Sequence, residues 1–313
     1  MTSILIFRTD RIGDFLVISP VFSSIKRNFQ DCKIDIVCSQ MNFKYINSFD
    51  FFDNIFLYPD NLIKKIKFFF SLKKYDYILV TDGKKRSIYI SILKSSKFKF
   101  LFTPSTSIKK IFNFFFDKVF IIDYSIPKIK IINNFLKEIN CDLISKDINF
   151  ILNHENSNSL ISDSIKEPYI ILNFDEKWIT DKYINTYEKI EPTLNQFSDF
   201  VEKLSNKQKL VIVNGYNENH ILNNFKTNNS DRIIIKNKID IFEFQSLIKY
   251  SNCLITCHGA SSHIASNYDI KVIDIIDQSE VIFFESYNFH FKKKLQLIRE
   301  NFNDLSLKIF NSI

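Results

Sequence analysis

Glycine is nearly missing from this chain: four occur among 313 residues, beside one tryptophan and two methionines. No G-x-G-x-x-G run and no G-x-x-x-x-G-K-[ST] loop is present, which disfavours a dinucleotide dehydrogenase of the usual kind and a P-loop enzyme. The five cysteines, Cys32, Cys38, Cys141, Cys253 and Cys257, are odd in number and form no C-x-x-C pair. A reducing, cytoplasmic setting fits that usage. A metal site of Cys253, Cys257 and His258 would place half of its ligands along a strand, so no metal is expected. No uninterrupted apolar run reaches the roughly 18 residues that a membrane-spanning helix needs. The N-terminus enters a strand directly, unlike a secretory signal.

What is present is a biased but globular composition. Phe, Ile, Lys and Asn are heavily used, as AT-rich codons would give, and 45% of residues are hydrophobic. Against that bias the four glycines, Gly13, Gly83, Gly215 and Gly259, stand out, because each follows an apolar run. They are either ordinary turns or strand-end loops with tight backbone demands around a ligand. Charge is uneven. Residues 1–160 carry 24 Lys and Arg against 15 Asp and Glu, and 161–313 carry 18 against 20. A basic first half suits an anionic partner such as a phosphate-rich membrane surface or a nucleic acid.

Strand-like runs alternate with helical patterns throughout. The first half predicts strands near 3–8, 33–38, 54–58, 76–81, 98–102 and 119–123. The second predicts them near 169–174, 210–214, 232–236, 253–256 and 271–276, with helices near 193–205, 217–226, 240–250 and 261–268. Such alternation implies α/β architecture with parallel sheets. Residues 153–168 are polar and broken, which predicts a linker and two domains, 1–160 and 161–313. Pro20 either opens a helix after a Ser19 cap or kinks one that began near Asp14. Two basic aromatic segments, 62–74 and 108–118, either lie on an anionic membrane or turn their phenylalanines to the core.

Four strand-end clusters bear chemistry. The loop Asp10-Arg11-Ile12-Gly13-Asp14 sets two carboxylates and a guanidinium at the end of the first strand. A carboxylate there can deprotonate an acceptor hydroxyl, or Asp14 can serve as a helix cap, with a lowered pKa that weakens it as a base. The run Gly259-Ala260-Ser261-Ser262-His263 joins a strand to a helix whose first amides can receive a pyrophosphate, with His263 as an added donor or a packing residue. Lys177, in Asn173–Trp178, can pair with phosphate oxygens. Trp178 packs on a base or wedges its loop. Glu218, after Gly215, can bind ribose hydroxyls.

Together these residues resemble glycosyltransferase family 9, the ADP-heptose:lipopolysaccharide heptosyltransferases. ILIFRTDRIGDFLVISPVFSSIKRNF is similar to that family's opening, and LITCHGASSHIASNYDIKVIDI to its nucleotide-sugar signature. The resemblance spans nearly the whole chain. It implies a GT-B fold, two Rossmann-like domains facing across a cleft, with the acceptor on the first and the nucleotide sugar on the second. It implies inverting transfer with Asp14 as general base. Asp10, Arg11 and Gly13 fall beside the acceptor, and Lys177, Glu218, Gly259, Ala260, Ser261, Ser262 and His263 beside the donor. It implies no metal or other cofactor. Partners would be a nucleotide-sugar donor and an anionic glycolipid or glycan acceptor, at the inner face of the cytoplasmic membrane. The chain departs from the family at Cys257-His258, before the motif glycine, in the Gly-to-His spacing, which looks one residue longer than usual, and at Asp175-Glu176, where small hydroxyl residues are common.

Two other classes compete. A non-catalytic nucleotide- or sugar-binding protein could use the same scaffold. A nucleic-acid binder would explain the basic half, but no motif of that kind is present, so no nucleic-acid partner is expected.

Overall fold

The computed structural model describes residues 1–146, 148, 165, 167–179, 186–215, 217, 219–227 and 229–313. Most of the expected linker, 153–168, lies outside the described residues, and so does Glu218. The chain divides into two compact units, Met1–Ser157 with Glu285–Phe289, and Asn158–Phe284 with His290–Ile313.

The first unit carries six strands: β1 (Thr2–Phe7), β2 (Cys32–Cys38), β3 (Asn54–Leu57), β4 (Tyr75–Val80), β5 (Ser96–Thr103) and β6 (Lys118–Ile121). The second carries β7 (Tyr169–Asn173), β8 (Lys209–Val213), β9 (Ile233–Lys236), β10 (Cys253–Cys257), β11 (Lys271–Ile276) and β12 (Lys294–Ile298). Their orders are β3-β2-β1-β4-β5-β6 and β12-β11-β10-β7-β8-β9. Every pairing is parallel. Counted from its own first strand, each sheet has the same order, that of a doubly wound nucleotide-binding fold. The order reverses between β1 and β4 in one sheet and between β7 and β10 in the other. Loops leaving those four strands are where such folds take ligands.

Central strands are covered by helices on both faces, so they read as apolar runs rather than alternations. Ile4, Leu5, Ile6 and Phe7 are all buried, as are Ile170, Ile171 and Leu172. In register, Ile4 faces Ile34 and Tyr77, and Ile255 faces Leu172 and Ile273.

The helix after β1 runs Ile12–Asn28 with Pro20 inside it, so the Ser19 cap is not used. Pro20 has no N–H, which leaves the Leu16 carbonyl without its usual donor. Packing compensates: Phe15 and Phe22 are buried and meet the rings of Phe49 and Phe52 at centroid distances of 5.5–6.1 Å. Beyond residue 276 the strand β12 and the helices Val281–Tyr287 and Phe302–Asn311 have no counterpart among the elements expected from sequence. β12 (KLQLI) is a half-buried edge strand, where weaker burial leaves a weaker apolar pattern.

Candidate functional site

The loop after β1 is built on a buried arginine. Arg8 is 2% exposed. Its guanidinium donates to the Thr81 carbonyl at the end of β4, and its own carbonyl accepts from Asn42 Nδ2 at 2.9 Å. Its Nε lies 2.9 Å from Asp10 Oδ1 and its Nη2 lies 3.5 Å from Asp14 Oδ1. Both carboxylates of the loop are therefore held by one fixed cation. Asp82, which follows β4, accepts from the Thr9 amide, the Thr9 hydroxyl and the Ser87 hydroxyl at 3.1, 2.6 and 2.7 Å. Arg86 adds a bond of 2.6 Å to the Thr9 carbonyl. These bonds tie the two loops at the reversal point into one floor. Gly83 turns the second loop at φ +61°, and a Cβ there would sit 3.0 Å from the Phe102 carbonyl oxygen.

The two carboxylates differ in setting. Asp14 is the third residue of its helix and its side chain is 33% exposed. The cap position is Arg11, and no side chain caps the helix. Of the two readings of Asp14, the cap is thus set aside. Asp10 is more enclosed. Burial pushes its carboxyl up to about 7, against the pull of Arg8, with Asp14 and Asp82 pushing the same way as burial. Arg11 is exposed and Gly13 half-buried.

Lys128 and Tyr287 were not foreseen. Lys128, at the start of helix Lys128–Glu138, is buried and donates to the Tyr287 hydroxyl at 3.2 Å. Burial, then the charge of Arg8, pulls its ammonium down to about 7, while Asp14 and Asp10 pull it up. Tyr287 lies in the segment of the second half that belongs to the first unit. A lysine following Ile126-Pro127 has no distinguishing pattern in a lysine-rich chain, so the sequence offered no signal.

In the second unit the loops after β7 and β10 meet around Lys177. Its Nζ donates to the His258 carbonyl at 3.0 Å and lies 3.6 Å from Asp175 Oδ2. A Cβ on Gly259 would fall 2.5 Å from that same Nζ. The glycine is what lets the ammonium cross over the loop. Burial lowers the lysine's pKa, but Asp175 and weaker neighbours outweigh it and the net shift is upward, so the cation persists. Asp175 caps its own turn, accepting the Lys177 amide at 3.1 Å. The Asp175 carboxylate, a departure from the family pattern, is thus turned back onto the lysine. Trp178 is buried, donates to the Asn173 carbonyl at 2.8 Å and packs on Phe174 and Phe302, so it wedges the loop rather than offering a face to a base.

Helix Ala260–Asn267 begins over this cation. The amides of Ser262 and His263 donate to the Gly259 carbonyl. Those of Ala260 and Ser261 are the first of the helix and have no partner within it. The serine side chains turn inward: Ser261 meets the Thr256 hydroxyl at 3.1 Å, and Ser262 donates to Asp274 at 2.7 Å. Asp274 also accepts from His258 Nδ1 at 2.7 Å. It lies in β11 beside Thr256 in register, fully buried. A carboxylate inside the apolar run KVIDII was a readable signal of a buried polar partner. Arg299, after β12, braces the loop by donating to the carbonyls of Lys177 and Glu188 at 2.9 and 2.8 Å.

His263 is buried within a chain of hydrogen bonds that fixes its tautomer. The single hydroxyl proton of Ser266 goes to the His263 carbonyl at 2.7 Å. His290 Nδ1, 2.7 Å from that hydroxyl oxygen, must therefore donate to it. A neutral His290 then accepts at Nε2 from His263 Nδ1, 3.0 Å away. Both rings are neutral: burial and the neighbouring His258 pull His290 down to about 3 and His263 well below its usual range, with His290 also acting on His263. His263 Nε2 is left without a proton, so in this arrangement the ring presents an acceptor there. Cys257 is buried, and burial pushes its thiol up to about 12, against the pull of Arg299. Cys253 and Cys257 stand at opposite ends of β10, about 13 Å apart at strand rise. Among the described residues no three His, Cys, Asp or Glu side chains are grouped to hold a metal ion.

No protein-family model matches the sequence, and no curated protein matches it. Solved structures do match. The fold is of the GT-B type. E. coli heptosyltransferase WaaC with ADP superposes with a TM-score of 0.70 at 13% identity, over 99% of this chain and 98% of that one. The glycosyl transferase family 9 protein of Veillonella parvula gives 0.71 at 12% identity, over 99% and 88%. A UDP-GlcNAc 2-epimerase from Methanocaldococcus jannaschii gives 0.60 at 13% identity, over 100% and 92%. The GT-B scaffold is thus shared by neighbours with two different chemistries, and the residues of the site must decide between them.

Proposed function

We propose that this protein is an inverting glycosyltransferase that moves a sugar, a heptose from ADP-heptose, onto an anionic glycolipid or glycan acceptor. The observation that carries the reading is Asp14: a partly exposed carboxylate, held by buried Arg8, at the reversal point of the first sheet. Structures of the E. coli heptosyltransferase WaaC with ADP and with ADP-2-deoxy-2-fluoro heptose support a nucleotide-sugar donor. Asp14 takes the proton of the acceptor hydroxyl as its oxygen attacks the anomeric carbon. The bond to the diphosphate breaks on the opposite side, and the configuration inverts.

Lys177 and the amides of Ala260 and Ser261 take the charge that develops on the leaving diphosphate. These groups supply the positive charge themselves, so the reading includes no metal or other cofactor. His263, fixed as an acceptor, takes a hydroxyl hydrogen from the donor rather than a phosphate oxygen. Asp10 and Lys128 shape the acceptor floor through Arg8 and Tyr287. Glu218 is retained as a ribose ligand on sequence grounds. The basic first half favours a phosphorylated acceptor at the inner face of the cytoplasmic membrane.

The test is incubation of the full chain with ADP-heptose and a phosphorylated lipopolysaccharide-core acceptor, with ADP release followed. Acceptor-dependent release is the expected result. Tight nucleotide-sugar binding with no release would instead identify a non-catalytic binder on this scaffold.

A further inference from the structure

Three crossover helices of the first unit lie on one face of its sheet: Leu62–Ser71, Lys85–Leu93 and Thr106–Phe112, the last running on into a single turn, Asn113–Phe115. Their inward residues Phe68, Ile88 and Phe112 share one core cluster with Leu5, Val80 and Leu101 of the strands. Their outward sides are not the polar faces that such helices usually show. Ile63 is 70% exposed, Phe70 76%, Leu93 71%, Ile111 64% and Phe114 93%. Single exposed apolar residues are ordinary, but a series across three consecutive helices is not. The helices also touch each other. The Tyr89 ring meets Phe112 at 5.9 Å, and Lys94 donates to the Phe69 carbonyl at 3.1 Å. The surface is therefore continuous.

Its charge has one sign. LIKKIKFFFS, KRSIYISIL and TSIKKIF contain no Asp or Glu. Acids border it in sequence: Asp60 pairs with Lys64, Asp82 accepts from the Thr9 and Ser87 hydroxyls, and Asp117 accepts the Lys99 amide. Lys65, Lys67, Lys109 and Lys110 stand among the exposed apolar side chains. A face that is apolar and uniformly basic repels a second copy of itself. It suits a partner with an anionic surface above a hydrocarbon layer, which is the chemistry of an acidic bilayer. Among the described residues no helix is long and apolar enough to cross a membrane, so contact would be peripheral.

We propose that this three-helix face docks the protein on an anionic lipid bilayer, with Phe70 and Phe114 entering the acyl boundary and the lysines on headgroup phosphates. The proposal stands apart from sugar transfer, because it needs no acceptor in the membrane.

Vesicle co-sedimentation of the full chain tests it, using phosphatidylcholine alone and phosphatidylcholine mixed with phosphatidylglycerol, both free of glycolipid. Pelleting with the mixed vesicles only, reduced by added salt, is expected. Phe70→Ser/Phe114→Ser should weaken it more than tenfold. Lys109→Glu/Lys110→Glu should weaken it by at least the roughly fivefold that each lost cation is worth at such a surface. Both pairs are exposed, so the thermal unfolding midpoint should not move, which separates loss of docking from loss of fold. No pelleting with the mixed vesicles overturns the proposal, and is the result an acidic protein partner would give. Pelleting unchanged in both variants overturns it as well.

Discussion

At the scale of single residues, the account turns on a few fixed contacts. Lys177 sits where it does because Gly259 has no side chain. Gly259→Ala should leave the global stability nearly unchanged, since the displaced atom is the end of a flexible side chain. It should weaken binding of a nucleoside diphosphate at least tenfold, as read by calorimetry. Binding equal to wild type would separate the glycine from the cation. The His263–His290 pair makes a second prediction, on pH. Both imidazoles have folded pKa values below the unfolded value, His290 at about 3. Between about 3 and about 6.5 the unfolded chain therefore binds more protons than the native one. The stability they contribute is complete above the unfolded pKa and is lost as pH falls through that window. His290→Asn should flatten this acid loss in urea titrations, while an unchanged slope would contradict the neutral, buried pair.

Elements show how much the sequence revealed. Among the described residues eleven of the twelve strands were readable, because a central parallel strand is an apolar run bounded by polar loops. The twelfth, β12, is a half-buried edge with Lys and Gln in it. Of the four strand-end glycines, Gly13, Gly83 and Gly259 lie after β1, β4 and β10, strands that flank the reversal points, while Gly215 lies after β8. What the sequence could not show was which way side chains turn. Ser261, Ser262 and Asp175 face inward, and the hydrogen-bond direction through Ser266 sets the tautomer of His263. Such facts depend on residues far apart in the chain, such as His290 and Asp274. Gly83 gives the prediction that belongs to this scale. Its positive φ and the 3.0 Å approach to the Phe102 carbonyl disfavour any side chain. Gly83→Ala should cost about 1–2 kcal/mol in chemical denaturation by the backbone strain alone. A neutral result would mean that the loop after β4 relaxes freely.

For the molecule as a whole, two sheets of identical strand order divide the labour. In the proposed transfer the first unit brings the carboxylate and the second the cation and helix amides, and each group lies at the reversal point of its own sheet. The charge follows the same division, with the basic half beside the proposed anionic acceptor. Sugar transfer requires both loops in one reaction, so the most direct measurement compares Asp14→Asn with the wild-type chain in two assays, nucleotide-sugar binding and acceptor-dependent release of ADP. Binding should stay within about twofold, while turnover should fall by about 10²–10⁴, the usual worth of a general base. Turnover near the wild-type rate with binding intact would contradict the account.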